Sequence, residues 1–563
     1  MFKLNLRAAG LAAVIGVLSL GAAASSFAQS GPQSLVDLVR SGQREAVLAA
    51  ITSPAVDVNV PAPDGSTALM WATYKVDHEM VRALLKRGAK VNVMNRFGDS
   101  ALAEAVKLGD VELVRMLLDA RADPDSPNQD GQTALMLAST IGSMPIAELL
   151  IKRGAHVNAV ETFRGQTALM WAAAESHPDI VNLLIKHGAG AQVNLRAKFD
   201  DWPREMTSEP RAQFRHGGGL TALLYATRSG CTRCAISIVK AGADVNEPNP
   251  DGITPLINAI DNRAYDIAMF LLDKGANPGA WDMYGRTPLY VAVDMHSYSG
   301  RSGFGSGNFA GFGEPLPTRP PTKATAMDLV NRLLKMGVDV NHQLTRMRPN
   351  GNGRGRFADY MMRGGTTPLM IATLSYDDEM IQVLLKHGAA VDVPNVFRIT
   401  PLMAAAGMSG SSRGGVGSAI APSRGPRQPE DVQARVMKTI DLLVAAGANV
   451  NARVTNSHTH TAKLVAYVTG RDHEGQTALF AAAEEGWDKV VKQLLARGAD
   501  PMFRDDENKT ALDYARHPPR VFRGPQAARG GSPQEKASRA ATVALLEAAM
   551  PKAPGSRETA SLR

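Results

Sequence analysis

Cysteine is nearly absent: 563 residues contain two, Cys231 and Cys234. That excludes a disulfide framework and a four-thiolate zinc site. Aromatic residues are scarce as well, at 5 %. No second long apolar run follows the first 28 residues, so a polytopic membrane protein is excluded. A composition of 44 % hydrophobic and 21 % charged residues also excludes a wholly disordered chain. There is no His-Glu-x-x-His and no phosphate-binding Gly-rich loop between strand and helix. Glycine (52) and methionine (24) are plentiful instead.

The first residues read as an export signal. Lys3 and Arg7 precede an uncharged, largely apolar run from Ala8 to Ala24, and Ser26-Phe27-Ala28 offers small residues to a signal peptidase. Residues 1–28 are therefore expected to be a signal peptide, followed by a short linker at 29–33. The protein is expected to be exported, to the periplasm or outside the cell, with no membrane insertion after cleavage.

One phrase then recurs along the chain. Asp64-Gly-Ser-Thr-Ala-Leu, Asp130-Gly-Gln-Thr-Ala-Leu, Asp251-Gly-Ile-Thr-Pro-Leu and Glu474-Gly-Gln-Thr-Ala-Leu are four copies. Its Thr (Ser once) falls at 67, 100, 133, 167, 221, 254, 287, 367, 400, 477 and 510, with most gaps of 33 or 34. A second phrase follows, as in Leu84-Leu85-Lys-Arg-Gly88 and Leu494-Leu495-Ala-Arg-Gly498. Thr suits a helix N-cap, and Pro at 255, 288, 368 and 401 suits the first turn. Gly after the Leu pair suits a left-handed helix stop. The Asp-Val-Asn segments, such as Asp244-Val-Asn246, are expected to turn the chain into the next unit. No unit of this size buries its own apolar face, so the units must stack.

These two phrases resemble the ankyrin-repeat family, and the resemblance covers about residues 34–550. It is to an exported, bacterial-type member with about eleven repeats and a degenerate N-terminal cap at Leu35–Asn59. The fold it implies is an all-α ankyrin-repeat solenoid of helix–turn–helix units joined by short β-hairpins or loops. Where the family commonly has His after Thr-Pro-Leu, Met70, Met136, Met170, Met370 and Met403 stand here, and they are expected to pack between inner helices. The resemblance implies a binding scaffold with no catalysis, cofactor or metal. Partner contacts are expected at hairpin tips (Phe97, Phe163, Tyr284, Phe397) and on inner helices (Tyr74, Arg228, Asp261, Asp294, Glu484).

Insertions individualise the array. They fall near 195–216, 296–325, 342–363, 409–434, 452–473 and 516–538, and residues 551–563 read as a disordered tail. Charge follows the same division: residues 296–363 hold ten Lys/Arg against four Asp/Glu, and 516–563 hold nine against three, so the repeats themselves are acidic. Solvated loops are one reading of these segments. A cationic dock for an acidic protein is the other, with Arg319, Lys323, Arg424, Arg427, Arg520 and Arg523 as its residues. Export and the lack of interleaved aromatics argue against nucleic acid. The expected partners are one or more proteins, with the chain itself a monomer.

Cys231-Thr-Arg-Cys234 is expected to be a structural disulfide or a pair of packed thiols, because a redox site of thioredoxin type has a βαβ setting that is missing here. His458, His460 and His473 are a weak candidate metal cluster without further ligands at suitable spacing. Two other functions stay open. One is a secreted effector that binds host proteins; the other is a redox accessory using Cys231 and Cys234.

Overall fold

In a computed structural model of the chain, the described residues are 34–199, 218–299, 322–345, 364–408, 429–455, 473–518 and 533–551. The expected signal peptide, the linker and nearly all of the tail lie outside them. Among the described residues there are 24 α-helices and no β-strand. The contacts divide the chain into two compact units, one ending at Gln192 and one beginning at Val193.

The first unit contains α1 (Leu35–Ser41), α2 (Arg44–Thr52), α3 (Ala68–Tyr74), α4 (His78–Lys86), α5 (Ala101–Leu108) and α6 (Val111–Asp119). It continues with α7 (Ala134–Ile141), α8 (Met144–Lys152), α9 (Ala168–Ala174) and α10 (Pro178–Lys186). Inner helices α3, α5, α7 and α9 pack in succession, and outer helices α4, α6, α8 and α10 do the same. The second unit repeats the plan with α11 (Ala222–Ser229), α12 (Thr232–Lys240), α13 (Pro255–Asp261), α14 (Tyr265–Asp273), α15 (Pro288–Ser299) and α16 (Ala326–Lys335). Then come α17 (Pro368–Leu374), α18 (Asp378–Lys386), α19 (Pro401–Ala405), α20 (Pro429–Ala445), α21 (Ala478–Glu485), α22 (Asp488–Ala496), α23 (Ala511–Arg516) and α24 (Pro533–Ala549).

Most inner helices begin where the repeated Thr (Ser at 100) satisfies an orphan donor. Thr67 Oγ1 accepts the Met70 N–H at 3.3 Å, and the Met70 sulfur accepts the Thr67 N–H at 3.5 Å. Thr133 with Met136 and Thr400 with Met403 do the same. Methionine thus closes the reciprocal cap that Glu or Gln usually closes. The methionine stripe is also buried, as expected. The Leu four residues before the helix-ending glycine is buried on the outer helix, at 84, 150, 271 and 494. In the last repeat the register is one residue later than the spacing suggests: Leu546, not Leu545, is the buried one.

Two turns per repeat use left-handed backbone. Nine residues after the cap, Gly109, Gly142 and Gly230 take positive φ, but so do Val76, Ser176 and Arg263. Gly88 and Gly154 close outer helices with φ of 81° and 91°, whereas Arg121 fills that slot at 66°. A side chain costs ~1–2 kcal/mol in this region, partly offset by the unfolded-state entropy that glycine adds. Val76→Gly and Arg121→Gly are each expected to stabilise the protein by roughly 0.5–1 kcal/mol, seen as a higher thermal midpoint. An unchanged or lower midpoint would mean that these turns carry no strain.

Short β-hairpins or loops were expected between repeats. The described tips hold only isolated bridges, such as Met94 with Ser100 and Val160 with Thr167. A side chain closes six of these tips. Asn95 Oδ1 accepts the N–H groups of Phe97 (3.0 Å) and Asp99 (2.9 Å), and Asn128, Asn249, Asp282, Asn395 and Asp505 act likewise. Successive tips are then tied by one backbone bond, as from Arg96 N–H to Asp64 carbonyl at 2.8 Å. The Asn of the Asp-Val-Asn segments also reaches the following repeat: Asn246 donates to the Gly275 carbonyl (3.2 Å) and accepts the Asn277 N–H (2.7 Å). Helix ends and tips are therefore fixed together where these bonds cross from one repeat to the next.

Candidate partner-binding surface

Inner helices of the first unit bury Leu and Ala on one side and turn the opposite side outward. On that outward side stand Trp71 and Tyr74, with ring centroids 5.7 Å apart and edge to face. Leu108 and Ile141 continue the strip on α5 and α7 and are exposed. Trp171 on α9 occupies the same repeat position as Trp71 and is half-buried. Beside this strip rise the tips, with Phe97 63 % and Phe163 70 % exposed. Phe163 is held by its own N–H, which donates to the Glu161 carboxylate at 2.6 Å, while the Arg164 guanidinium lies 5.6 Å from its ring. These aromatics are preorganised, which reduces the entropy that binding must overcome.

The second unit differs. Tyr284, expected at an exposed tip, is buried. The Arg286 guanidinium lies 5.7 Å from its ring, and the following tip bonds its carbonyl through the Thr345 N–H. Asp294, expected on the contact face, is buried as well, because α15 continues through the position where other inner helices turn left-handed. Asp261 is held by Arg286 at 3.2 Å. Arg228 is exposed with its guanidinium 4.8 Å from the Tyr225 ring, and Phe397 and Glu484 are half-buried. The expected residues therefore divide: Tyr74, Phe97 and Phe163 form an apolar surface in the first unit, and those of the second unit do not.

Arg286 is the strongest electrostatic feature. Its Nε donates to Asp282 at 2.6 Å and its Nη1 to Asp261 at 3.2 Å, and the Asp282 side chain is wholly buried. Burial opposes the guanidinium charge, but Asp261 and Asp282 outweigh it and hold the pKa above its ordinary value.

Trp281 was missed from sequence and is 62 % exposed, stacked 6.1 Å from His342. Its signal was available: it stands immediately before Asp282, where Met94 stands before Asn95 and Val160 before Glu161, all three exposed. Of the basic-loop residues, Lys323 is exposed, and its backbone N–H donates to Asp266 at 3.0 Å. Arg319, Arg424, Arg427, Arg520 and Arg523 lie outside the described residues. So do His458 and His460, while His473 is buried with Nδ1 2.7 Å from Gln476. Among the described residues no group of side chains could hold a metal ion, and no helix is long and apolar enough to cross a membrane. The string Gly410-Ser411-Ser412-Arg413-Gly414, which has nucleophile-elbow spacing, also lies outside them. Cys231 and Cys234 form a disulfide with Cα atoms 5.2 Å apart.

The family model for three copies of ankyrin repeats matches residues 35–128, 102–197, 206–282 and 223–300, and the single-repeat model matches 364–396 and 474–506. The chain belongs to the ankyrin-repeat family. It is similar to the RelA-associated inhibitor of Mus musculus, 36 % identical over 93 residues, which are 16 % of this chain and 11 % of that protein. The B-cell lymphoma 3 protein homolog of Mus musculus is 34 % identical over 90 residues, 16 % of this chain and 19 % of that one. Protein phosphatase 1 regulatory subunit 27 of Homo sapiens is 38 % identical over 73 residues, 13 % of this chain and 47 % of that one. The match thus spans less than half the length of each of these relatives.

Proposed function

We propose that this protein is an exported scaffold that binds a protein partner through the apolar inner-helix strip and tips of its first unit. One observation carries the reading. Of the thirteen exposed large hydrophobic residues among the described residues, nine precede Gln192. Aromatic anchors of this kind dominate interface energetics. The names of the relatives, an inhibitor associated with RelA and a regulatory subunit of a phosphatase, agree with a role exerted on other proteins. Export is supported by the Lys3/Arg7 segment with its apolar run and by the disulfide, a bond that persists in oxidising compartments.

The test is selection from a random peptide library displayed on phage, using the full mature chain as bait. The expected result is enrichment of peptides rich in aromatic and aliphatic residues, with affinity little changed by salt. The triple variant Tyr74→Ala, Phe97→Ala, Phe163→Ala should weaken them at least ~100-fold, since each anchor contributes ~1–2 kcal/mol. Enrichment of acidic peptides that ignore this variant and weaken as salt rises would contradict the reading. The basic insertions would then be the dock.

A further inference from the structure

The disulfide stands in a slot that three other repeats fill with carboxylate. Ten residues after the capping Thr, Asp77, Asp110 and Asp377 cap their outer helices, accepting the N–H of Met80 (2.9 Å), Leu113 (2.9 Å) and Met380 (3.1 Å). In the repeat that begins at Thr221 the same slot holds Cys231, whose Sγ accepts the Cys234 N–H at 3.2 Å. The protein thus supplies its own comparison for what the slot does to an anion. At Asp110, burial opposes the charge, yet the Leu113 N–H together with His78 outweighs it and lowers the pKa.

A second difference accompanies it. Two positions on, five other outer helices carry an acid: Glu79, Glu112, Asp179, Asp266 and Glu379. Here that position is Arg233, exposed, and no acid occurs in the first turn of α12. Arg228, also exposed, adds charge of the same sign from the end of α11. The repeat that holds the sulfur thus combines a basic residue at this position with no acid in the first helical turn, whereas α22 has Lys489 there but keeps Asp488 beside it. A structural disulfide has no need of that combination; a thiolate does. Cys231 keeps a small exposed surface, whereas Cys234 has none and takes the apolar anchor position held by Met80 and Leu113 elsewhere.

We propose that Cys231 and Cys234 form a thiol–disulfide exchange site that oxidises paired thiols of a protein substrate. The substrate's thiolate attacks Cys231 Sγ. A sulfur–sulfur bond forms there, the Cys231–Cys234 bond breaks, and Cys234 leaves as thiolate and takes a proton. The substrate's second thiol, after losing its proton, attacks its own sulfur in the mixed disulfide. Cys231 then leaves as a thiolate, with the Cys234 N–H and the positive charges stabilising it. Two electrons pass from the substrate dithiol to this chain, and a low-pKa leaving group speeds the second step. This activity is independent of the apolar surface and extends the scaffold reading.

The experiment mixes the oxidised full chain with a synthetic peptide carrying two cysteines and follows peptide oxidation. Glutathione disulfide at equal concentration is the reference oxidant. The expected rate is at least roughly tenfold above the reference, with one Cys231–Cys234 disulfide lost per peptide oxidised. In Cys234→Ala, iodoacetamide should alkylate Cys231 at least roughly tenfold faster than it alkylates glutathione at neutral pH. Arg233→Glu restores the acid that other repeats carry, so it should fold normally and slow peptide oxidation several-fold. That variant decides the matter if Cys234→Ala does not fold. Oxidation no faster than by glutathione disulfide, or a rate that Arg233→Glu leaves unchanged, would overturn the proposal.

Discussion

Arg286→Ala is expected to destabilise the second unit by about 3–5 kcal/mol, the cost of leaving a buried carboxylate without its cation. The guanidinium is almost wholly buried, and Asp282, wholly buried, faces it at 2.6 Å. Asp282 also closes its tip, accepting the N–H groups of Tyr284 and Arg286 at 2.9 Å each. Asn performs that closure in four other tips, so Asp282→Asn should keep the turn while removing the charge. Adding Asp282→Asn to Arg286→Ala is therefore expected to recover part of the loss, a coupling that chemical denaturation of the four proteins would measure. Strict additivity would mean that the pair is not a unit. Tyr284, packed beneath the guanidinium, should become accessible to solvent quenchers in the single variant.

Leu271→Ala is expected to cost about 2–5 kcal/mol through the cavity it opens. Leu271 is fully buried on α14, between neighbouring outer helices. Repeat arrays hold together through nearest-neighbour interfaces, so the loss should appear first as faster hydrogen exchange in the adjacent repeats. A variant as stable as the parent would show that the Leu pair is not a core element.

Local chemistry made the repeats legible. Thr67, Met70, Leu84 and Gly88 act within about twenty residues of one another, and each has a single role that spacing reveals. The Thr67 cap and the left-handed stop at Gly88 needed no knowledge of neighbouring repeats, whereas the methionines read as packing residues with no part in the cap. Burial across a boundary was not legible in the same way. Tyr284 reads as an exposed tip like Phe97 and Phe163, yet Arg286, two residues on, covers it and anchors to Asp261 in the preceding inner helix. Asp294 reads as a contact residue, yet α15 runs to Ser299, whereas α3 ends at Tyr74. Position 296 there is His, and nothing in the local phrase says that the usual left-handed break will fail. The disulfide was anticipated as a pair of packed or bonded sulfurs. The carboxylates that occupy its capping slot in other repeats, Asp77, Asp110 and Asp377, lie outside the local phrase.

The most direct test of the binding surface is hydrogen exchange on the full mature chain, with and without a peptide taken from the library selection. Amides of Ala68–Tyr74, Ala101–Leu108, Ala134–Ile141 and the tips at Phe97 and Phe163 should slow on binding, while Ala478–Glu485 in the second unit should not change. Slowing confined to the second unit, or to outer helices such as His78–Lys86, would contradict a partner site on the apolar face of the first unit.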